Sequence, residues 1–177
     1  MLFRSKIMDG ISEILATYNC VSLDEKIQFE LDGVVEKEIK QAYCIENLEF
    51  CVSCMDYTTL KVSDTEESVK NFTADLLKKL KKFNLRDVAA VCVFSNYAGI
   101  VREGLKGTEI QTAVVAGNFP NSQTFTEIKL AECKMAIGAG AQEVDVVISV
   151  GDILEKNYEK VYRELKRSEE RRVGKEC

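Results

Sequence analysis

The chain has 177 residues, of which 24 are Lys or Arg and 29 are Asp or Glu, so its formal net charge is −5. This acidic balance argues against a dedicated nucleic-acid-binding protein, because such proteins usually present a basic face. The apolar runs are far shorter than the roughly 20 residues that a membrane span needs, and no basic-then-apolar leader opens the chain. We therefore expect a globular, cytoplasmic protein without nucleic-acid or membrane partners.

The residue types that are missing narrow the possible chemistry. The sequence contains no His, which excludes Ser–His and Cys–His nucleophile pairs and every His-ligated metal site. Seven cysteines without a leader are typical of reduced thiols in a cytosol. Cys51 and Cys54 form a C-x-x-C, but no second pair stands at zinc-finger spacing, so chance spacing is favoured over a metal or redox site. We expect no metal and no cofactor.

Periodicity predicts helices before residue 48 and an alternation of strands and helices after it. Apolar residues three and four apart indicate helices over 7–15 and from Leu23 to Ile39, followed by an extended segment over 50–60. Continuous apolar runs then predict buried parallel strands, and a capping box over Thr124–Glu127 predicts a helix start. The predicted elements are helices over 66–83, 97–105, 124–137 and from about 157, and strands over 88–94, 112–116 and 143–150.

Asp145 lies within the last predicted strand and is the most informative residue of the sequence. Side chains alternate along a strand, so Glu143, Asp145, Val147 and Ser149 are expected on one face and their apolar neighbours on the other. A buried carboxylate is costly unless it is paired, so we expect a Lys, an Arg or a proton beside Asp145. A structural ion pair would satisfy this need, but we favour a functional role.

Asp56 and Thr58 repeat the same pattern on an earlier strand. Together with the thiol of Cys92 they would form a polar pocket for a small hydroxylated ligand. No lysine lies within any predicted buried strand, and Lys129 is expected on the solvent-facing surface of its helix.

Four segments of this pattern resemble deoxyribose-phosphate aldolases, a family of Schiff-base aldolases built on a (β/α)₈ TIM barrel. Segments 55–60 and 89–94, and segment 118–132 with its Asn-Phe-Pro start, resemble the parts of the family around its first three strands. Segment 140–147 is close to the fourth strand and is the most specific match. The resemblance implies an N-terminal helical extension over 6–48 and about the first four strand–helix units of a barrel over 49–166.

The resemblance also implies a reaction, namely cleavage of 2-deoxy-D-ribose 5-phosphate to acetaldehyde and D-glyceraldehyde 3-phosphate in deoxyribonucleotide and deoxyribose catabolism. A lysine amine forms an iminium that accepts the electrons of the broken C–C bond. Asp145 is implied in proton transfer, and Asp56, Thr58 and Cys92 are implied in the substrate pocket. The family's Schiff-base lysine lies on a later strand that this chain lacks, so we expect the chain alone to be inactive. A homo-oligomer of the full-length protein is compatible with the resemblance, and the sequence does not determine the oligomeric state.

Two alternatives remain open at this point. Another Schiff-base aldolase on the same barrel could act on a different phosphorylated or acyl substrate. A small flavodoxin-like α/β binding domain could be complete in four strands. Compact monomeric behaviour would favour the flavodoxin-like domain, whereas aggregation would favour half a barrel.

The two ends of the chain resemble sequencing-library adapters. Residues 167–177 look like the in-frame translation of such an adapter, and residues 1–5 look like the other adapter end. We therefore interpret residues 6–166 as the natural segment, an interpretation that the underlying codons can check.

Overall fold

The structure is a computed structural model that describes residues 24–38 and 42–173. These residues belong to two compact units, Met1–Leu48 and Glu49–Cys177. Helix α1 spans Asp24–Lys37, which confirms the helix predicted from Leu23 onward. The helix predicted over 7–15 lies outside the described residues.

Helix α2 spans Ile45–Ser53 and corrects the prediction of an extended segment over 50–60. Leu48 and Val52 stand four residues apart, the spacing at which side chains meet on a helix. Glu46 lies in the first turn, where the positive helix end favours an acid, and a backbone hydrogen bond lowers the pKa of its carboxyl. The apolar pattern over 50–60 therefore did not distinguish a helix from a strand, and its first residues are helical.

The second unit alternates strands and helices, as the periodicity predicts. Strand β2 spans Ala90–Phe94 and is followed by a single 3₁₀ turn over Ser95–Tyr97. The other elements are β1 (Asp56–Thr58), α3 (Glu66–Phe83), α4 (Ala98–Gly104), β3 (Gln111–Ala116), α5 (Thr126–Ala139), β4 (Glu143–Val146), α6 (Val150–Leu154) and α7 (Tyr158–Val173).

The four strands pair in chain order, β1-β2-β3-β4, and every pairing is parallel. A flavodoxin-like sheet has the strand order 2-1-3-4-5. Its second strand is added on one side of the first strand, and the later strands are added on the other side. The flavodoxin-like alternative is therefore wrong. Consecutive parallel strands joined by helices are the arrangement of a (β/α)₈ barrel, of which this sheet has four strands.

The two faces of the sheet belong to two separate hydrophobic clusters. The first cluster, on the helix face, joins alternate strand residues such as Val91, Val93 and Val114 to apolar side chains of α3, α4 and α5. The second cluster contains Ala90, Cys92, Ala113 and Val115, with Leu60 and Phe94 packed against it. Among the described residues, no helix contributes to the second cluster.

The start of α5 differs from its prediction by one residue. The N-cap is Phe125 and makes no side-chain cap hydrogen bond, so the capping box predicted over Thr124–Glu127 is wrong. A capping box requires one partner at the N-cap and the other at the third helical position, and Thr124 and Glu127 miss those positions. Glu127 instead accepts a hydrogen bond from Arg167 of α7 at 2.6 Å.

Strand β4 is shorter than the predicted strand over 143–150. Its ladder continues to the N–H of Val147, which donates to the carbonyl of Ala116 at 3.1 Å, and the chain then turns into α6. Ser149 is the N-cap of α6 and not a strand residue. Apolar character alone did not reveal this turn, because Val147 to Val150 suits a strand equally well.

No helix in the described part of the chain is long and apolar enough to cross a membrane. The same residues contain no group of three or more His, Cys, Asp or Glu side chains placed to hold a metal ion. Cys51 and Cys54 are free, exposed thiols at the end of α2.

The capping difference between two threonines gives the first prediction. Thr65 caps α3 through a full capping box, in which its hydroxyl accepts from the N–H of Ser68 at 3.1 Å. We expect Thr65→Ala to lower the free energy of unfolding by about 1 kcal/mol, because a helix N–H loses its partner.

Thr124→Ala is the matched control, since no hydrogen bond of the Thr124 side chain is found, and its effect should stay within about 0.5 kcal/mol. Urea unfolding followed by circular dichroism measures both variants. Equal losses for the two threonines would contradict the capping assignment.

Candidate functional site

The site face of the sheet is the face opposite the helices. It is formed by the strand residues Asp56, Thr58, Ala90, Cys92, Phe94, Ala113, Val115, Glu143 and Asp145. On β1, Tyr57 points the other way and stacks on Phe72 of α3 with ring centroids 4.3 Å apart. Because strand side chains alternate, that packing directs Asp56 and Thr58 onto the site face.

The strand register decides which site residues are neighbours. Thr58 pairs with Cys92, which in turn pairs with Ala113, and Ala113 pairs with Glu143. One level nearer the carboxyl ends, Phe94 pairs with Val115 and Val115 with Asp145. Active sites of (β/α)₈ barrels lie at this carboxyl end of the strands.

Cys92 is the residue at which the site side chains meet. Its side chain is 4% exposed, and burial is the largest of the causes that raise the pKa of its thiol to about 11. The charges of Asp145 and then Asp56 raise this pKa further, because a thiolate beside a carboxylate is disfavoured. A hydrogen bond with Thr58 acts in the opposite direction. The structure thus brings together all four residues that the sequence singled out.

The structure corrects the prediction that a basic residue lies beside Asp145. Asp145 is exposed to solvent, and no ion pair joins it to Lys or Arg within residues 24–38 and 42–173. Its carboxylate keeps its hydration and does not need a neutralising partner. Ser149, expected on the same face, instead contacts Lys129 and Glu164 after the end of the strand.

The site face is acidic. Asp56, Glu143 and Asp145 project from its strands, and no Lys or Arg stands at any strand position of this face. Three carboxylates around a buried thiol favour a cation such as an ammonium or an iminium group. The same charges would repel a phosphorylated ligand unless cationic groups from elsewhere balance them.

Lys129 lies where the sequence did not place it. It was expected on the solvent-facing surface of α5, yet its side chain is 0% exposed. Its Nζ donates to Ser122 Oγ at 2.5 Å, Ser149 Oγ at 2.8 Å and Glu164 Oε1 at 2.7 Å. These partners use all three ammonium protons, which makes burial of the charge tolerable.

One signal in the sequence could have revealed this burial. Lys129 precedes Cys133 by four residues and Ala136 by seven, and these two residues form the buried stripe of α5 with Leu130. A lysine inside an apolar stripe requires a buried acid. The acid is Glu164, 35 residues away in α7, and no local pattern points to it.

Curated relatives match about two thirds of this chain. No family model matches the chain. A deoxyribose-phosphate aldolase of Clostridium novyi is 40% identical over 121 residues, which cover 68% of this chain and 51% of the relative. The chain thus spans about half the length of the curated relatives that it matches.

Solved structures show the same fold. A tetrameric deoxyribose phosphate aldolase from Aeropyrum pernix aligns with a TM-score of 0.53 at 28% identity, over 70% of this chain and 49% of the other. The aldolase QR15 aligns with a TM-score of 0.58 at 25% identity, over 68% of this chain and 50% of the other. The described four-stranded sheet therefore has the arrangement of consecutive strands in a TIM-barrel aldolase.

The electrostatic environment of Cys92 gives the second prediction. We expect Asp145→Asn to lower the pKa of the Cys92 thiol from about 11, because it removes the largest charge that opposes the thiolate. Glu143→Gln should lower it less, since Glu143 contributes least among these carboxylates. The midpoint remains above the usual value, because burial persists.

Peptide-resolved alkylation with iodoacetamide from pH 8 to about 12.5, a range that brackets the expected midpoint, measures this pKa by mass spectrometry. Cys133 provides an internal control, because burial and the charge of Glu132 raise its pKa and Asp145 is not among the causes. An unchanged Cys92 profile in Asp145→Asn would contradict the proximity of the two residues.

Proposed function

This chain is homologous to curated deoxyribose-phosphate aldolases, and on this premise we propose that it supplies four strand–helix units of a Schiff-base aldolase. The proposed reaction cleaves 2-deoxy-D-ribose 5-phosphate to acetaldehyde and D-glyceraldehyde 3-phosphate, within deoxyribose catabolism. The observation that carries the proposal is that Asp56, Thr58, Cys92 and Asp145 share one sheet face, with Asp145 at the carboxyl-end level of the strands.

Proton transfer is the role proposed for Asp145. In a Schiff-base aldolase, a lysine amine condenses with the C1 carbonyl and releases water, which leaves an iminium. A base then takes the proton of the C3 hydroxyl while the C2–C3 bond breaks. The electrons of that bond move toward the iminium and form an enamine. The exposed carboxylate of Asp145 is suited to this proton traffic, directly or through a water, because it lies at the carboxyl end of β4 and has no ion-pair partner among the described residues.

The other three residues are proposed to line the substrate pocket. Thr58 offers a hydroxyl that donates to the carbonyl of Asp56, and the residue pairs with Cys92 on the neighbouring strand. The raised pKa keeps the Cys92 thiol neutral at physiological pH, so it supplies a small, uncharged wall to the pocket and not a nucleophile.

We propose that this chain is inactive by itself. A Schiff base needs a lysine on the site face, and none of the four described strands has one. Lys129 cannot substitute, because it lies buried and all its protons are bound to Ser122, Ser149 and Glu164. The acidic site face also requires cations from outside these strands before a phosphorylated sugar can approach.

The same proposal includes the bounds of the natural segment, the location of the enzyme and its oligomeric state. We place the natural segment at residues 6–166, with a helical extension over 6–48, and the enzyme in the cytoplasm. An oligomeric full-length protein is supported by the relative from Aeropyrum pernix, which is described as tetrameric.

The function is tested on the complete reading frame recovered from the source DNA. We expect the full-length protein to release acetaldehyde from 2-deoxy-D-ribose 5-phosphate, and we expect Asp145→Asn to lower kcat by about 10²- to 10⁴-fold through loss of proton transfer. Glu143→Gln, on the same strand face, is the control and should retain most activity. Turnover of a different phosphorylated aldol, with none of deoxyribose phosphate, would support the alternative aldolase.

The inactivity of the 177-residue chain is tested separately. Incubation with 2-deoxy-D-ribose 5-phosphate and borohydride, followed by peptide mass spectrometry, should show no reduced adduct on any lysine. The full-length protein should show one adduct under the same conditions. A covalent adduct within this chain would refute the proposal that its lysines cannot form the Schiff base.

A further inference from the structure

One face of helix α5 is bonded to the ends of three strands. Lys129 and Glu132 stand three residues apart and so lie on the same side of this helix. Their polar atoms contact the segments that directly follow β2, β3 and β4 at the carboxyl edge of the sheet, which is where the proposed site lies.

Glu132 joins the ends of β2 and β3. Its Oε1 accepts from Ser95 Oγ at 2.8 Å, and Ser95 directly follows β2. Its Oε2 accepts from the N–H groups of Gly117 at 2.9 Å and Asn118 at 3.0 Å, which directly follow β3. Both of these residues have positive φ, 80° for Gly117 and 61° for Asn118, a conformation that glycine adopts freely and asparagine tolerates, and the carboxylate accepts from both adjacent N–H groups of this turn.

Lys129 joins the ends of β3 and β4. It donates to Ser122 in the loop after β3 and to Ser149 in the segment after β4. Ser122 also donates to the carbonyl of Val147 at 3.0 Å, and Glu164 closes the network by accepting from Lys129 and from Ser149. Two loops and two helices thus meet at one buried ammonium group.

Stability alone does not explain this arrangement. A buried ion pair is often no more stabilising than apolar residues of the same volume, so its presence is weak evidence for a stability role. Directional hydrogen bonds, in contrast, fix the positions of the loops that they join, which apolar packing does less exactly. Among the described residues, the side-chain hydrogen bonds of Lys129 and Glu132 reach the segments that follow the site strands. The one other partner is Glu164, which accepts from Lys129.

We propose that Lys129 and Glu132 are positioning residues, which hold the carboxyl ends of β2, β3 and β4 in a fixed relation. Together they set the separation between Asp145 on β4 and Cys92 on β2. This inference rests on the proposed function, because it concerns the same site. The positions of Asp145 and Cys92 relative to each other can nevertheless be tested without substrate.

The test uses the complete 177-residue chain and the charge coupling between two site residues. Two clamp variants are made, in which the hydrogen bonds of Lys129 or of Glu132 to the strand ends are removed or weakened. Asp145→Asn is introduced into the parent chain and into each clamp variant, and the pH midpoint of Cys92 alkylation is measured each time. The midpoint is read instead of the rate, because a change in access alters the rate without moving the midpoint.

The first clamp variant combines Lys129→Met with Glu164→Met, which removes both charges and leaves neither orphaned. The second is Glu132→Gln, which weakens the bonds to the ends of β2 and β3. The matched control, called Lys160→Met below, also carries Asp152→Asn, so that both charges of this pair are removed. The pair, with its charged atoms 2.9 Å apart, joins α6 to α7 and touches no strand end.

We expect the shift caused by Asp145→Asn to fall to less than half of its parent value in both clamp variants and to stay unchanged in Lys160→Met. An unchanged shift in clamp variants that still melt cooperatively would overturn the proposal. Loss of cooperative melting in both clamp variants would also overturn it, because the residues would then serve the stability of the whole unit. Failure of the proposed function would appear only in the acetaldehyde assay of the full-length protein, not in this coupling.

Discussion

The parallel pairing of four strands in chain order is the constraint on which the rest of the structure depends. Each strand must be reached by a crossover, and crossovers of the same hand place their helices on the same side of the sheet. Val91, Val93 and Val114 therefore face α3, α4 and α5, while the alternate residues have no helix of the described chain beside them. That second face is where polar side chains can stand without disturbing the packing of the helices.

The site face combines a small apolar cluster with an unbalanced acidic charge. Cys92 is buried among Ala90, Ala113 and Val115, while the carboxylates of Asp56 and Asp145 are exposed beside it. This contrast explains why the pKa of the thiol rises, since burial and negative charge both disfavour the thiolate. The same acidic face supports the proposed Schiff-base mechanism, because three carboxylates favour a cation such as an iminium.

Helix α5 has two roles, which its sequence shows unequally. Leu130, Cys133 and Ala136 are buried on this helix, and Ala136 belongs to the hydrophobic cluster of the helix face. Lys129 and Glu132 connect the same helix to the loops after three strands, and this was not visible. The helix start was also mispredicted by one residue, because Thr124 and Glu127 match a capping box in sequence while the backbone places Phe125 at the N-cap.

The sequence by itself determined the order of elements after residue 65 and which strand residues share a face, because apolar runs and strand alternation are local properties of the chain. It misjudged residues 50–53, which form the end of a helix, and the strand after Val146, where apolar residues suit either structure. Only the tertiary structure decided the sequential strand order, the exposure of Asp145 and the burial of Lys129. Each of these depends on residues distant in sequence, as Lys129 does on Glu164, so no local pattern could determine them.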